Sequence, residues 1–223
     1  EIVNVGTGDI TVDPNSTQTI GGQATWRVGP NQVLRIRSDG ANWIIILNST
    51  CQVWTEEFTL PISFFRAHPS GGCGALEDVL LSAGRYAQGC PFDGSSIESA
   101  YCFYPLPRRW NLGTFTFQPY GFNTAGGAGA VVLQMAAVAA GDNESKDAAV
   151  GTFQTSTDTI LAAKNQAIGP ESAAITIAGT PAINDGVRFV LQRDPTAGGD
   201  TYASNYYVEC VKIRLSMIAF NDQ

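Results

Sequence analysis

Over most of its length the chain alternates apolar and polar residues with a period of two, in short runs broken by Gly, Pro, Asn and Asp. That period sends successive side chains to opposite faces of a strand, so each run predicts a strand with one buried and one solvated face. In "VRFVLQR", Val187, Phe189 and Leu191 share one face and Arg188 and Gln192 the other. In "YYVECVKIRLSMI", Val211, Ile213, Leu215 and Met217 oppose Lys212 and Arg214.

From Glu1 to Asn48 the runs "IVNV", "DITV", "ATWRV", "QVLRIRSD" and "NWIIIL" are separated by "GTG", "DPNSTQ", "GPN" and "DGA". Each separator supplies turn chemistry: Gly for positive φ, Pro for fixed φ, Asn and Asp for local side-chain bonds. These runs predict a small antiparallel β-module over residues 1–50. A module of that size buries little apolar surface by itself, so it needs a neighbour, either the rest of the chain or copies of itself.

Residues 51–223 carry a second series: "FTLPISFFR", "SAYCFYPLP", "GTFTFQPYGF", "AVVLQMAAVA", "SAAITIAG" and the two strands above. A Gly- and Cys-bearing connection runs from His68 to Asp93. One buried and one solvated face per strand predicts an antiparallel sandwich of jelly-roll type. Asp158 to Ile168, stopped by Gly169-Pro170, is the one segment read as a short helix.

Composition agrees with an all-β chain: 15% of residues are charged, Gly occurs 24 times, and Val, Ile, Thr and Phe come in bursts. The net charge of −7, from 20 acidic and 13 basic residues, argues against nucleic acid as a partner. Phosphate recognition uses clustered Lys and Arg, and here the basic residues are scattered apart from short pairs such as Arg35/Arg37 and Arg108/Arg109. No apolar run reaches the length of a membrane-spanning helix, and "EIVNV" opens the chain without Met, as in a piece of something longer.

The five cysteines, Cys51, Cys73, Cys90, Cys102 and Cys210, never adopt C-x-x-C spacing, so neither zinc nor another metal or cofactor is expected. They read as free thiols of a reducing compartment, with Cys102 and Cys210 buried in strands; Cys73 and Cys90, flanked by Gly, are the pair to examine for a bond.

Three constellations bear on chemistry. The loop Asp194 to Asp200 is open to reading as a calcium site, a carboxylate pair or a hairpin connection. It lacks the D-x-[DN]-x-[DN]-G pattern and fits a register-fixing turn better. Asp142, Glu144 and Asp147 in "AGDNESKDAA" form a solvated acidic loop that is also a candidate receptor contact, as is Tyr206 if exposed. His68 is the single histidine, at a strand end before a turn, and with no G-x-S-x-G elbow it reads as a turn residue rather than a catalytic base. No acidic pair stands in an aromatic, sugar-binding context, so a non-enzyme is expected.

The segment "NVGTGDITVDPNSTQTIGG...VGPNQVLRIRSDGANW" resembles a small β-module of tailed-bacteriophage fibre and appendage proteins, and the rest of the chain resembles a phage virion structural domain, through "PLPRRWNLGTFTFQPYGFNTAG" and "SAAITIAGTPAINDGVRFVLQRDPTAGGDTYASNYYVECVKI". The cysteines between Cys51 and Cys102 depart from that pattern. The resemblance implies a virion structural protein assembled in the host cytoplasm, a fibre or appendage that contacts other virion proteins and a host-surface glycan or protein. A carbohydrate-binding or glycan-depolymerising module and a head decoration or capsid-linked protein are the alternatives. It also implies a homotrimer, in which Ile44, Ile45 and Ile46 of the doubly apolar "WIIIL" are covered in part by neighbouring chains.

Overall fold

The computed structural model describes residues 1–30, 32–50 and 52–219. The chain forms two compact units, Glu1–Thr55 together with the C-terminal end from Ser216, and Glu56–Leu215.

The first unit holds β1 (Ile2–Asn4), β2 (Ile10–Val12), β3 (Trp26–Val28), β4 (Gln32–Ser38) and β5 (Trp43–Thr50), one for each predicted run. They pair as a three-stranded sheet β1-β4-β5 and a two-stranded sheet β2-β3, all antiparallel. Ile20, Val28, Val33 and Leu34 are buried. Polar side chains of the turn motifs do the pinning. Asn4 is buried; its amide donates to the Gly8 and Val28 carbonyls at 2.6 and 2.9 Å, and its Oδ1 accepts from Gly6 N at 3.0 Å. Asp39 Oδ1 accepts from the Ala41 and Asn42 amides, and these bonds, the Asn42 one foremost, hold its carboxyl below the usual range. Asn42 Oδ1 in turn accepts from Thr19 N at 2.8 Å. Of the three isoleucines of β5, Ile45 is half-buried, and Ile44 and Ile46 are 45% and 56% exposed in the single chain.

The second unit is a sandwich built from β6 (Gln52–Pro61), β7 (Arg66–Ala67), β8 (Glu77–Ser82), β9 (Arg85–Phe92), β10 (Glu98–Pro105), β11 (Trp110–Asn123), β12 (Gly129–Ala140), β13 (Gln154–Ile160), β14 (Gln166–Ile168), β15 (Gly186–Arg193) and β16 (Tyr206–Ala219). One sheet has the order β13-β12-β15-β10-β7; the other runs β14-β11-β16-β9-β8, with β6 also paired to β16. Phe115 of the second sheet meets Phe189 of the first edge to face, centroids 5.2 Å apart. Phe92, Phe117, Met135, Leu191 and Ile213 are fully buried around them. The fold is all-β, a β-sandwich.

Three local readings change. Residues 158–168 are not a helix: they finish β13, turn at 162–164 and form β14. Helical spacing in "DTILAAKNQAI" is weaker than what the sheet offers, since Asp158 and Ile160 pair with Val131 and Gly129, and Gln166 with Phe122. The His68 to Asp93 connection contains the hairpin β8-β9, whose turn passes through Gly84 at φ 72°. Conversely "SAAITIAG" makes only isolated bridges, Phe115 with Ile175 and Val138 with Ala178.

Candidate functional site

The two outward faces of the sandwich differ. On the β11-β16-β6 side the surface is laced with ion pairs. Arg214 bonds both Glu57 and Glu171, Lys212 Nζ is 3.5 Å from Glu57, and it sits 5.6 Å above the Tyr120 ring. The Arg214 hydrogen bond holds the Glu57 carboxyl below the usual range. Exposed pairs of this kind contribute little to stability, but they leave that face occupied by its own charges.

The outward face of the five-stranded sheet is a cleft. Register aligns Tyr101 with Val190 and Ala136, and Ser99 with Gln192 and Gln134, so these residues form rungs across the sheet. Gln192 donates to Gln134 at 2.6 Å. One wall is the turn after β7, with His68 and Pro69; the other is the loop 141–151, with Asp147 and Val150. Together with Ser99, Tyr101, Arg188 and Val190 they border an open cleft of about 560 Å³.

The loop is held over the sheet by Arg188, whose guanidinium donates to the Lys146 and Ala148 carbonyls at 2.9 and 2.8 Å. Gly151 N reaches Ala137 O at 3.2 Å, and Lys146 Nζ lies 5.4 Å over the Phe103 ring. Ala136 and Val138, on the outward side of β12, are therefore buried. The Phe103 ring lies over Gly186, in the space a Cβ would take, so a larger residue there would turn the ring aside. The opposite wall is fixed by His68 N and Cys73 N, which donate to Ser99 O, and by Ser99 N, which donates to Gly71 O.

The polar groups inside are available. Among the described residues no side chain pairs with the Asp147 carboxylate, which is exposed. His68 Nδ1 is 2.7 Å from Ser70 O and 3.3 Å from Ser70 N, so the turn holds this side of the ring and leaves Nε2 without a protein partner among the described residues. Tyr101 is half-buried and lines the cleft. Asp147 is the single acid among the lining residues. The cleft thus brings together a carboxylate, an imidazole and a tyrosine, groups that can meet hydroxyls and C–H faces.

Of the residues singled out from the sequence, Asp147 lines this cleft. Asp142 and Glu144 lie in the same loop but serve it internally: Glu144 Oε2 accepts from Gly141 N at 2.9 Å, and Asp142 Oδ2 from Asn143 at 3.0 Å. Tyr206 has to be withdrawn as an exposed receptor contact. It is 1% exposed, and burial pushes its hydroxyl pKa up. Counting back in steps of two from Val211 puts Tyr206 outside, but the alternation slips at Glu209 and Cys210, both half-buried, so Tyr206 and Val208 turn inward. Tyr207 takes the outward place, stacked on Phe122 at 5.1 Å. Cys210 is likewise half-buried rather than buried, while Cys102 is in the core. Cys51 lies outside the described residues.

The loop after β15 is a connection held by a buried ion pair. Arg193, fully buried, donates from Nε and Nη2 to the two Asp200 oxygens, both at 2.9 Å. Its remaining donors reach the Phe92, Ser204 and Tyr202 carbonyls. Asp200 Oδ2 also accepts from Val132 N at 2.9 Å, tying the loop to β12. Asp194 caps its own turn through Thr196 N and Oγ1. Both carboxylates are thereby committed within the protein.

No protein-family model matches the chain, and no curated protein does. Among solved structures it is similar to the CBM22-2 xylan-binding domain from Paenibacillus barcinonensis Xyn10C, at 14% identity and a TM-score of 0.42 over 71% of this chain and 98% of that one. A structure of carbohydrate-binding modules of the β-sandwich superfamily matches at 5% identity and 0.33, covering 98% and 94%. One of infectious bursal disease virus Gx strain matches at 10% and 0.33, covering 88% and 39%.

Proposed function

We propose that the chain is a non-catalytic recognition protein that takes a saccharide in the cleft on its five-stranded sheet. The observation that carries this reading is the convergence of an unpaired carboxylate, Asp147, with the Tyr101 ring over an open cleft of about 560 Å³. Asp147 would accept sugar hydroxyls, Tyr101 would stack on the C–H face, and His68 Nε2 would exchange a hydrogen bond with a further hydroxyl. Glycosidic cleavage by the usual route needs a second carboxylate, and the lining residues hold one. Retention without release is the activity that fits.

Calorimetric titration with soluble xylo-, manno- and gluco-oligosaccharides, preceded by a glycan array, tests this. Tyr101→Ala and Asp147→Ala should each weaken binding by about tenfold or more, from a lost ring contact or charge-assisted hydrogen bond, with unfolding unchanged. An array without a ligand, or affinity unaltered in both variants, overturns the reading.

The setting proposed for this module is the surface of a tailed-phage virion, as a homotrimeric appendage that meets a host glycan. What supports it is the N-terminal motif, whose Asn4, Asp39 and Asn42 are the residues that pin the first unit. Antibody labelling of intact particles tests the placement: label on an appendage supports it, and label on the head or on no particle removes it.

A further inference from the structure

Cys73 and Cys90 lie seventeen residues apart in sequence with their Sγ atoms 2.6 Å apart, well inside the contact distance of two non-bonded sulfurs. Both are buried, at 7% and 6% exposure. Cys90 belongs to β9 of the six-stranded sheet, and its Sγ is also 3.0 Å from Gly74 O. Cys73 ends the segment that forms the cleft's His68 wall and hangs from Ser99 of β10 in the other sheet. Gly74 N donates to Pro91 O at 2.9 Å, so the two backbones are already docked beside the sulfurs. A short inward movement completes a bond of roughly 2.05 Å.

We infer that Cys73 and Cys90 are a site of oxidative modification, closed by a hydroperoxide into a disulfide that staples the His68 wall of the cleft to the opposite sheet. The first sulfur attacks the peroxide and breaks its O–O bond, which leaves a sulfenic acid and an alcohol, or water from hydrogen peroxide. The second sulfur then attacks the first and expels hydroxide, which takes the second thiol's proton and leaves as water. Two thiols have lost two hydrogens and two electrons, and the peroxide has gained them. The two thiols share one contact, so either sulfur can make the first attack and the bond formed is the same. The bond does not depend on what the cleft takes.

The test treats the reduced, desalted chain with hydrogen peroxide, quenches, unfolds and alkylates it, and maps the peptides. A Cys73–Cys90 cross-link is expected, with Cys102 and Cys210 alkylated. The oxidised chain should melt about 6–12 °C above the reduced one, a rise that reductant reverses, because the closed loop restricts the unfolded state. Cys73→Ser and Cys90→Ser should each abolish the rise. If a serine variant fails to fold, the peptide map of the parent chain decides. Alkylation of both cysteines after peroxide, or a cross-link that maps elsewhere, overturns the inference.

Discussion

Replacing Asp200 by Asn keeps the size and one carbonyl oxygen of the side chain but removes the negative charge facing Arg193. The guanidinium is fully buried and the Asp200 side chain 2% exposed, so solvent does not screen the pair. With Asn, one of two parallel N–H···O bonds meets an amide NH₂, and Val132 N loses its charged acceptor or must share it. The three carbonyls around Arg193 satisfy its other donors without neutralising its charge. Breaking a buried pair on one side costs about 3–5 kcal/mol. For a unit of this size that lowers the melting temperature by roughly 6–20 °C. Urea unfolding followed by fluorescence of the buried Trp110 reads the loss directly. The control is Asp194→Asn: it alters a self-contained turn and should cost about 1 kcal/mol or less. Replacing both partners, Arg193→Met with Asp200→Leu, should recover much of the loss, because no charge is then stranded. If Asp200→Asn costs under about 1 kcal/mol, the pair does not hold the loop and the reasoning fails.

Three further outcomes are expected. Glu57 has its folded pKa depressed by Arg214, so its contribution to stability is present above the unfolded pKa and lost as pH falls through the folded one. Glu57→Gln should therefore differ from the parent near neutral pH and converge with it in acid; a gap that widens in acid contradicts this. In native-state labelling Cys210 should react well before Cys102, whose thiol burial pushes up to about 12; the reverse order would place Cys102 at the surface. Light scattering should give the mass of three chains for the proposed homotrimer and of one for Ile46→Asp, since Ile46 is 56% exposed in the single chain. A parent chain that stays monomeric at micromolar concentration removes the trimer.

The strands were legible because alternation is a local property. Every run in residues 1–50 became a strand, and the inward set Val187, Phe189, Leu191 is fully buried. One more step of two along that face reaches Arg193, so the pattern itself placed an arginine in the core and thereby its need for Asp200. The helix over 158–168 failed for a different reason: its pairing partners, Gly129 to Val131 and Phe122, lie far away in sequence, and strand formation there depends on them. Tyr206 failed through a one-residue slip of β16, which inverts the faces of everything before it.

The cleft was illegible for a topological reason. Its lining comes from the turn after β7, from β10, from the loop 141–151 and from β15, four segments that the strand order β12-β15-β10-β7 brings side by side. Nothing in the spacing of His68, Tyr101, Asp147 and Arg188 records that order. Asp147 was picked out with Asp142 and Glu144 as one acidic cluster, yet their carboxylates part company, because only Asp147 lies where the loop bends over the sheet. The bend is set by Arg188, read from the sequence merely as an outward-facing residue. Its two bonds to the Lys146 and Ala148 carbonyls bracket Asp147 and fix the backbone on either side of it. In an antiparallel sandwich an outward position is solvated unless a loop returns to cover it, and an outward arginine with two loop carbonyls as acceptors is such a return. Whatever the cleft takes meets a carboxylate positioned by the sheet beneath it rather than one carried on a free loop.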